Sequence, residues 1–341
     1  MKRRTFIKTS VTSVAALAGR SVSADPARGF SAEGGIITVQ GTIDPKDAGI
    51  FLPHEHIMST FGGEITDDPQ YDSIVLDSIV RPYLEYLRGI GVRTVADCTT
   101  RYFGRDVKVL RDMSEKSGIN LIANTGYYGA AGDRYIPEHA YAESSEQLAE
   151  RWIQEFKGGI KGTGIKPGFI KIGVDSGSLS PIDAKLVRAA AITHIETGLV
   201  MAIHTGDSIE SVKRQLEIAR EEGAHPESWI WVHAQSVKNH DDLLFAAEQG
   251  AWLEFDGVSE KNADHHLQLV NGMKSRGLLN HVLLSHDGNL YNPVGGTTKG
   301  FDALSTVFIP LLERNGFTPE EVGMLVEKNP QEAFTIKVRR I

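Results

Sequence analysis

Cysteine is all but missing from these 341 residues: Cys98 stands alone. That excludes an intramolecular disulfide and any cysteine-rich zinc module. Long apolar runs are missing too, and none approaches the roughly 18 residues that a membrane-spanning helix requires, so no membrane anchor is expected. Positive charge is in short supply. Lys and Arg number 36 against 44 Asp and Glu, a formal charge of -8, and without a basic face nucleic acid is not the expected partner. No G-x-G-x-x-G turn follows the first strand-like run, which argues against an open dinucleotide-binding sheet. What remains is ordinary for a globular chain, with 41% hydrophobic, 23% charged and 8% aromatic residues. Such a balance excludes disordered, collagen-like and coiled-coil chains. Glycine, at 35 residues, suits a fold with many tight turns between strands and helices.

Residues 1–24 read as an address rather than as structure. A basic start (Lys2, Arg3, Arg4, Lys8) leads into a mildly apolar stretch from Val11 to Gly19 and ends in Ser21-Val22-Ser23-Ala24. This is the layout of a secretory signal. The adjacent Arg3-Arg4, followed by Phe6 and Lys8, resembles the bacterial twin-arginine motif. The expectation is export in folded form through the twin-arginine machinery, to the periplasm or the cell exterior. The segment holds five basic residues and no acid, so its removal makes the chain more acidic still. Residues 25–341 are then expected to form a single domain.

Beyond the signal, Ile36–Ile43 alternates and stops at Asp44-Pro45, as a small β hairpin would. From there short β-type runs alternate with amphipathic helical patterns. The runs are Ile50–Ile57, Thr94–Thr100, Asn120–Tyr127, Phe169–Val174, Val200–Thr205, Trp229–Ala234, Trp252–Asp256 and His281–Asp287. Several are apolar throughout, as expected of parallel strands buried on both faces. Gly89, Gly118, Gly198, Gly223, Gly250 and Gly277 are placed where left-handed helix caps are needed. Eight such units predict a closed (β/α)8 barrel with a short N-terminal hairpin.

Barrel active sites lie at the C-terminal ends of the strands, and here those ends are rich in metal-competent side chains. The first strand ends His54-Glu55-His56, the fifth in His204, the sixth in His233 and the eighth in Ser285-His286-Asp287. Positions i and i+2 of a strand share a face, so His54 and His56 converge while Glu55 points away. Four imidazoles and one carboxylate suit zinc or a similar divalent ion. Lys171 on the fourth strand is the odd member, since a lysine inside a barrel is costly unless neutralised. It is expected either to pair with an acid such as Asp175 or to carry a carbamate that bridges two metals.

Taken together, Leu52-Pro53-His54-Glu55-His56-Ile57, Gly104-Arg105-Asp106, Thr125-Gly126-Tyr127-Tyr128, Phe169-Ile170-Lys171-Ile172, Ile203-His204-Thr205 and Ser285-His286-Asp287 resemble the phosphotriesterase family of the amidohydrolase superfamily. The resemblance runs in order from about residue 36 to the end of the chain. It implies a binuclear metal centre, with His54, His56 and Asp287 at the buried ion and His204 and His233 at the exposed one. A carboxylated Lys171 would bridge them, a bridging hydroxide would be the nucleophile, and Asp287 would take its proton. Zinc is the expected metal. Tyr128 would form a pocket wall or simply pack at its strand end. Members of the family are often homodimers, so the resemblance allows a homodimer here without specifying one.

Departures from the family pattern bear on the substrate. Most members carry Asp three residues after the sixth-strand histidine, where this chain has Ser236. The seventh-strand Asp is followed by His in the organophosphate-degrading branch and by Arg in the lactonase branch, whereas Asp256 is followed here by Gly257. Asp256 and Gly257 are expected to border the pocket, with room for a sizeable substrate. The expected function is hydrolysis of a small-molecule carboxylic ester or lactone. A phosphotriester or amide is the alternative bond, and a non-catalytic metal-binding periplasmic protein the alternative class.

Overall fold

The computed structural model describes residues 33–341, so the segment read as a signal lies outside the described residues. An antiparallel hairpin, β1 (Ile36–Thr38) and β2 (Gly41–Ile43), precedes the main fold as expected, with Ile36 opposite Ile43. The barrel strands are β3 (Ile50–Met58), β4 (Val92–Asp97), the pair β5 (Asn120–Ile122) and β6 (Asn124–Thr125), β7 (Phe169–Gly173), β8 (Met201–His204), β9 (Trp229–Val232), β10 (Trp252–Phe255), and the pair β11 (Val282–Leu284) and β12 (Gly288–Tyr291). All pairings among them are parallel. One ladder runs from β11 through β10, β9, β8 and β7 to β6; another runs from β12 through β3 and β4 to β5. Because β5 continues into β6 and β11 into β12, the two ladders join into a closed ring of eight.

The predicted runs all become strands, with two refinements. The third breaks at Ala123. The eighth breaks at Ser285–Asp287 and then resumes as β12, which pairs with β3. Residues 288–291 thus belong to the strand ring. Around the ring lie α1 (Ser73–Gly89), α2 (Val107–Ser117), α3 (Glu138–Ala142), α4 (Ser145–Gly158), α5 (Pro181–Thr197), α6 (Ile209–Glu221), α7 (Asp241–Glu248) and α8 (Ala263–Ser275). Asp72, Asp106, Ser144, Ser180 and Ser208 accept bonds from backbone N–H groups at the helix starts, which satisfies donors that have no partner within the helix. Of the six glycines read as caps, Gly118, Gly198, Gly223, Gly250 and Gly277 are left-handed. Gly89 instead stays in the last turn of α1, and Gly91 takes the left-handed position.

Two apolar layers result. Phe51, Ala96, Ile122, Phe169, Ala202, Ile230 and Leu283 fill the barrel interior, and Phe334 closes its floor against Phe51 and Phe169 at centroid distances of 4.8 and 5.2 Å. The opposite strand faces meet the helices in a larger core. Trp229 and Trp231 belong to that helix-facing core. Gly126 has φ +123, and a Cβ there would collide with the carbonyl oxygen of Lys171, so only glycine lets the third strand pass the lysine.

One buried histidine ties the fold to pH. His194 on α5 donates from Nδ1 to the Leu199 carbonyl at 2.9 Å and accepts at Nε2 from the Arg339 N–H at 3.0 Å. Burial, acting against those backbone bonds, brings its pKa down to about 4. An unfolded histidine titrates near 6.5, so the unfolded chain binds the extra proton first as pH falls. Stability is therefore complete above that value and lost between about 6.5 and 4, by about 3 kcal/mol at full loss. Urea unfolding of wild type against His194→Gln across this interval isolates the effect. The comparison cancels Asp183, whose burial lifts its pKa to about 6 and so pulls in the opposite direction. Equal pH slopes for the two proteins would refute the assignment.

Candidate metal centre

At the C-terminal mouth of the ring, His54, His56, Lys171, His204, His233 and Asp287 line one cavity of about 250 Å³. Asp287 Oδ1 stands 3.4 Å from His54 Nε2 and 3.3 Å from His56 Nε2. On the other side, His204 Nδ1 faces His233 Nε2 at 2.7 Å and the Tyr128 hydroxyl at 3.2 Å. Lys171, 1% exposed, has no hydrogen-bond partner for Nζ among the described residues. The expected alternative of an ion pair with Asp175 is not formed; that carboxylate accepts from the Gly132 N–H instead.

Two of these side chains sit on left-handed backbone, with φ +66 at His233 and +52 at Asp287. Non-glycine residues adopt this region at a cost, and they keep it only where the surroundings hold them. A buried carboxylate holds each. Asp256 accepts from the His233 N–H at 3.1 Å and faces its Nδ1 at 2.7 Å, fixing backbone and ring together. Glu55, pointing away from the cavity as its place between the two histidines predicts, accepts from Ser285 Oγ, His286 N–H and His286 Nδ1 through Oε1. Its Oε2 accepts from the Gly288 N–H at 2.7 Å. The turn that presents Asp287 is thus gripped on both sides.

The electrostatics match a cation site. Burial, reinforced by the nearby charges of His233 and Lys171, brings the His204 pKa well down and keeps the ring neutral, as a ligand must be. Although burial opposes it, the charges of His54 and His56 hold the Asp287 carboxyl below the usual carboxylate range. Burial pushes the Tyr128 hydroxyl up, so it stays protonated. Four imidazoles, an ionised carboxylate and a buried amine without a partner are a donor set that fits a pair of divalent cations. His54, His56 and Asp287 bring ligand atoms within 4.8 Å of one another, as do His54, His233 and Asp256.

The pocket assignments need two corrections. Asp256 lies behind His233, 1% exposed, with its oxygens engaged by His233 and Gln235. Gly257 is also outside the cavity lining: it occupies a left-handed turn at φ +76, where a Cβ would approach the Gln235 amide at 3.7 Å. The strand-six departure is local, for Ser236 only caps the His233 carbonyl at 2.6 Å. Apart from Tyr128, the walls come from residues not singled out in the sequence. Phe61, Phe103 and Tyr128 form the aromatic side, while Ser59, Asn289 and Thr297 form the polar side. Tyr128 thus lines the pocket and also packs against Phe103, with centroids 5.2 Å apart. Of the two long segments at the rim, 288–300 contributes Asn289 and Thr297 directly. The loop at 129–141 acts through Tyr135, which bonds the Gly62 N–H and packs on Phe61 and Phe103.

A closed ring of eight parallel strands with four imidazoles and a carboxylate at its C-terminal mouth defines a (β/α)8 barrel whose mouth residues could hold metal ions. The phosphotriesterase family profile matches residues 34–334. A phosphotriesterase homology protein of Escherichia coli strain K12 is 31% identical over 303 residues, spanning 86% of this chain and 99% of the relative. An aryldialkylphosphatase of Saccharolobus solfataricus is 26% identical over 319 residues, spanning 86% and 97%. Among solved structures, the E. coli phosphotriesterase homology protein with phosphate in its active site aligns at a TM-score of 0.74 and 30% identity, covering 86% of this chain and all 100% of that one. The chain belongs to the phosphotriesterase family, whose members are hydrolases that use a binuclear metal centre.

Proposed function

We propose that the protein hydrolyses a small carboxylic ester or lactone at a centre of two divalent cations, zinc being the expected metal. What carries the reading is the convergence of four imidazoles, Asp287 and an unpartnered, buried Lys171 on one cavity. His54, His56 and Asp287 would hold one ion, His204 and His233 the other, and a carboxylated Lys171 both. When bound, such ions bring the pKa of water towards neutrality and polarise the bond under attack. The chain's own residues supply the rest. Asp287, held ionised beside His54 and His56, accepts the proton released as the nucleophile adds. The Tyr128 hydroxyl, beside His204, offers a donor to substrate oxygen, and Phe61 and Phe103 keep water off one wall.

Size favours the acyl reading. A cavity of about 250 Å³ lies below the roughly 300–1,000 Å³ usual for drug-sized ligands. It suits a planar carbonyl with two substituents better than a tetrahedral phosphoryl centre with three. The S. solfataricus relative, named an aryldialkylphosphatase, supports phosphotriester cleavage as the second reading. The test is a panel of aryl esters, lactones, N-acyl amides and paraoxon-like triesters on zinc-reconstituted protein. A small ester or lactone is expected to exceed the best triester by about tenfold in kcat/KM; the reverse order would select the second reading. We also propose twin-arginine export to the periplasm or exterior, supported by Arg3-Arg4 and checked by cell fractionation. No described helix is long and apolar enough to cross a membrane.

A further inference from the structure

The inward side of β10 and its end carry two carboxylates at i and i+2, Glu254 and Asp256, and the centre as described uses only the second. Glu254 is fully enclosed in the barrel. Its Oε1 lies 2.6 Å from His54 Nδ1, and its Oε2 has no hydrogen-bond partner among the described residues. Asp256 is also near that nitrogen, at 3.4 Å, but it already serves the His233 backbone, the His233 ring and the Gln235 amide. Glu254 serves His54 alone. The other imidazole of the same strand is treated differently: His56 Nδ1 faces the neutral hydroxyl of Thr99 at 2.8 Å.

This asymmetry has a chemical consequence. A carboxylate can only accept when ionised, so it draws the ring hydrogen to Nδ1 and leaves the Nε2 lone pair free. Nε2 is the nitrogen that faces Asp287 and the cavity. A carboxylate behind an imidazole also makes the opposite nitrogen a stronger donor to a cation, which a hydroxyl does far less. We propose that Glu254 is a positioning residue that locks His54 with its hydrogen on Nδ1, and that it makes the cation position built on His54 the tighter of the two. This rests on the two-cation reading above.

The test is zinc titration of the chelator-stripped full chain against a fluorescent competitor, comparing wild type with Glu254→Gln and Glu254→Leu, with Tm measured for each stripped protein. Gln keeps an acceptor for the Nδ1 hydrogen but loses the charge; Leu loses both. The expected result is two zinc equivalents in wild type, with the tighter one weakened about tenfold by Gln and about a hundredfold by Leu, the other staying within a few fold. A merely structural role would lower Tm and both affinities together without separating Gln from Leu, and would overturn the proposal. So would a tight equivalent left unchanged in both variants while wild type still binds two. Failure of wild type to bind zinc at all would instead overturn the two-cation reading, and this inference with it.

Discussion

Replacing Asp287 by Asn is expected to lower kcat by about three orders of magnitude while leaving the fold standing. Asp287 Oδ1 lies within 3.4 Å of His54 Nε2 and 3.3 Å of His56 Nε2, so it occupies both a ligand position and the position of a proton acceptor. Those same imidazoles hold its carboxyl below the usual range, against burial, and it is ionised at any assay pH. An amide can donate or accept a hydrogen bond but cannot take a proton, and a positioned base commonly accounts for about 10²–10⁴ in rate. The fold is spared because the turn does not depend on this carboxylate. The Asp287 N–H still reaches the His54 carbonyl at 3.1 Å, and Glu55 still grips Ser285, His286 and Gly288. Steady-state kinetics and thermal unfolding of the variant measure both halves. A rate near wild type would remove Asp287 from its proton role, and collapse of the fold would show that the turn needs the carboxylate after all.

The six mouth residues were legible in the sequence because a strand converts spacing into direction. His54 and His56 share a face by alternation; His204, His233 and Asp287 fall at the ends of apolar runs that the strand–helix period marks out, and Lys171 interrupts one. The barrel followed from the same period. Residues that act from a distance were harder to see. Glu254 stands two positions before Asp256 in Trp252-Leu253-Glu254-Phe255-Asp256, and the same i, i+2 rule that paired His54 with His56 puts it inside the barrel. A charged residue in the middle of a buried run was the available signal. Phe61 and Phe103 lie outside regular strands and helices, where no periodicity fixes what a side chain faces. Asp256 and Gly257 were misplaced for a related reason. Position along a strand tells which face a residue takes, but not that His233, thrown into left-handed backbone, would come between Asp256 and the cavity.

Replacing Lys171 by Met is expected to move activity and metal-free stability in opposite directions. The side chain is 1% exposed, and its Nζ finds no partner among the described residues. A buried amine without a partner is a cost to the empty fold, and an apolar side chain of similar length relieves it, by up to about 1–4 kcal/mol where buried ionic groups have been exchanged for well-packed apolar ones. The stripped variant is therefore expected to unfold at a higher temperature than stripped wild type. Metal content and turnover change the other way. The proposed carbamate supplies the anion shared by both cations; without it, two dications would face Asp287 with too little negative charge between them, and zinc content is expected to fall to one equivalent or fewer with turnover at background. Carbamate formation also requires dissolved carbon dioxide, so zinc reconstitution of wild type is expected to be faster in bicarbonate than in degassed buffer, whereas the variant shows no such dependence. If Lys171 were instead half of a structural ion pair, its removal would leave a buried charge alone and destabilise the stripped protein by about 3–5 kcal/mol. The sign of the shift in stripped-protein Tm thus separates a lysine kept for the metals from one kept for the fold.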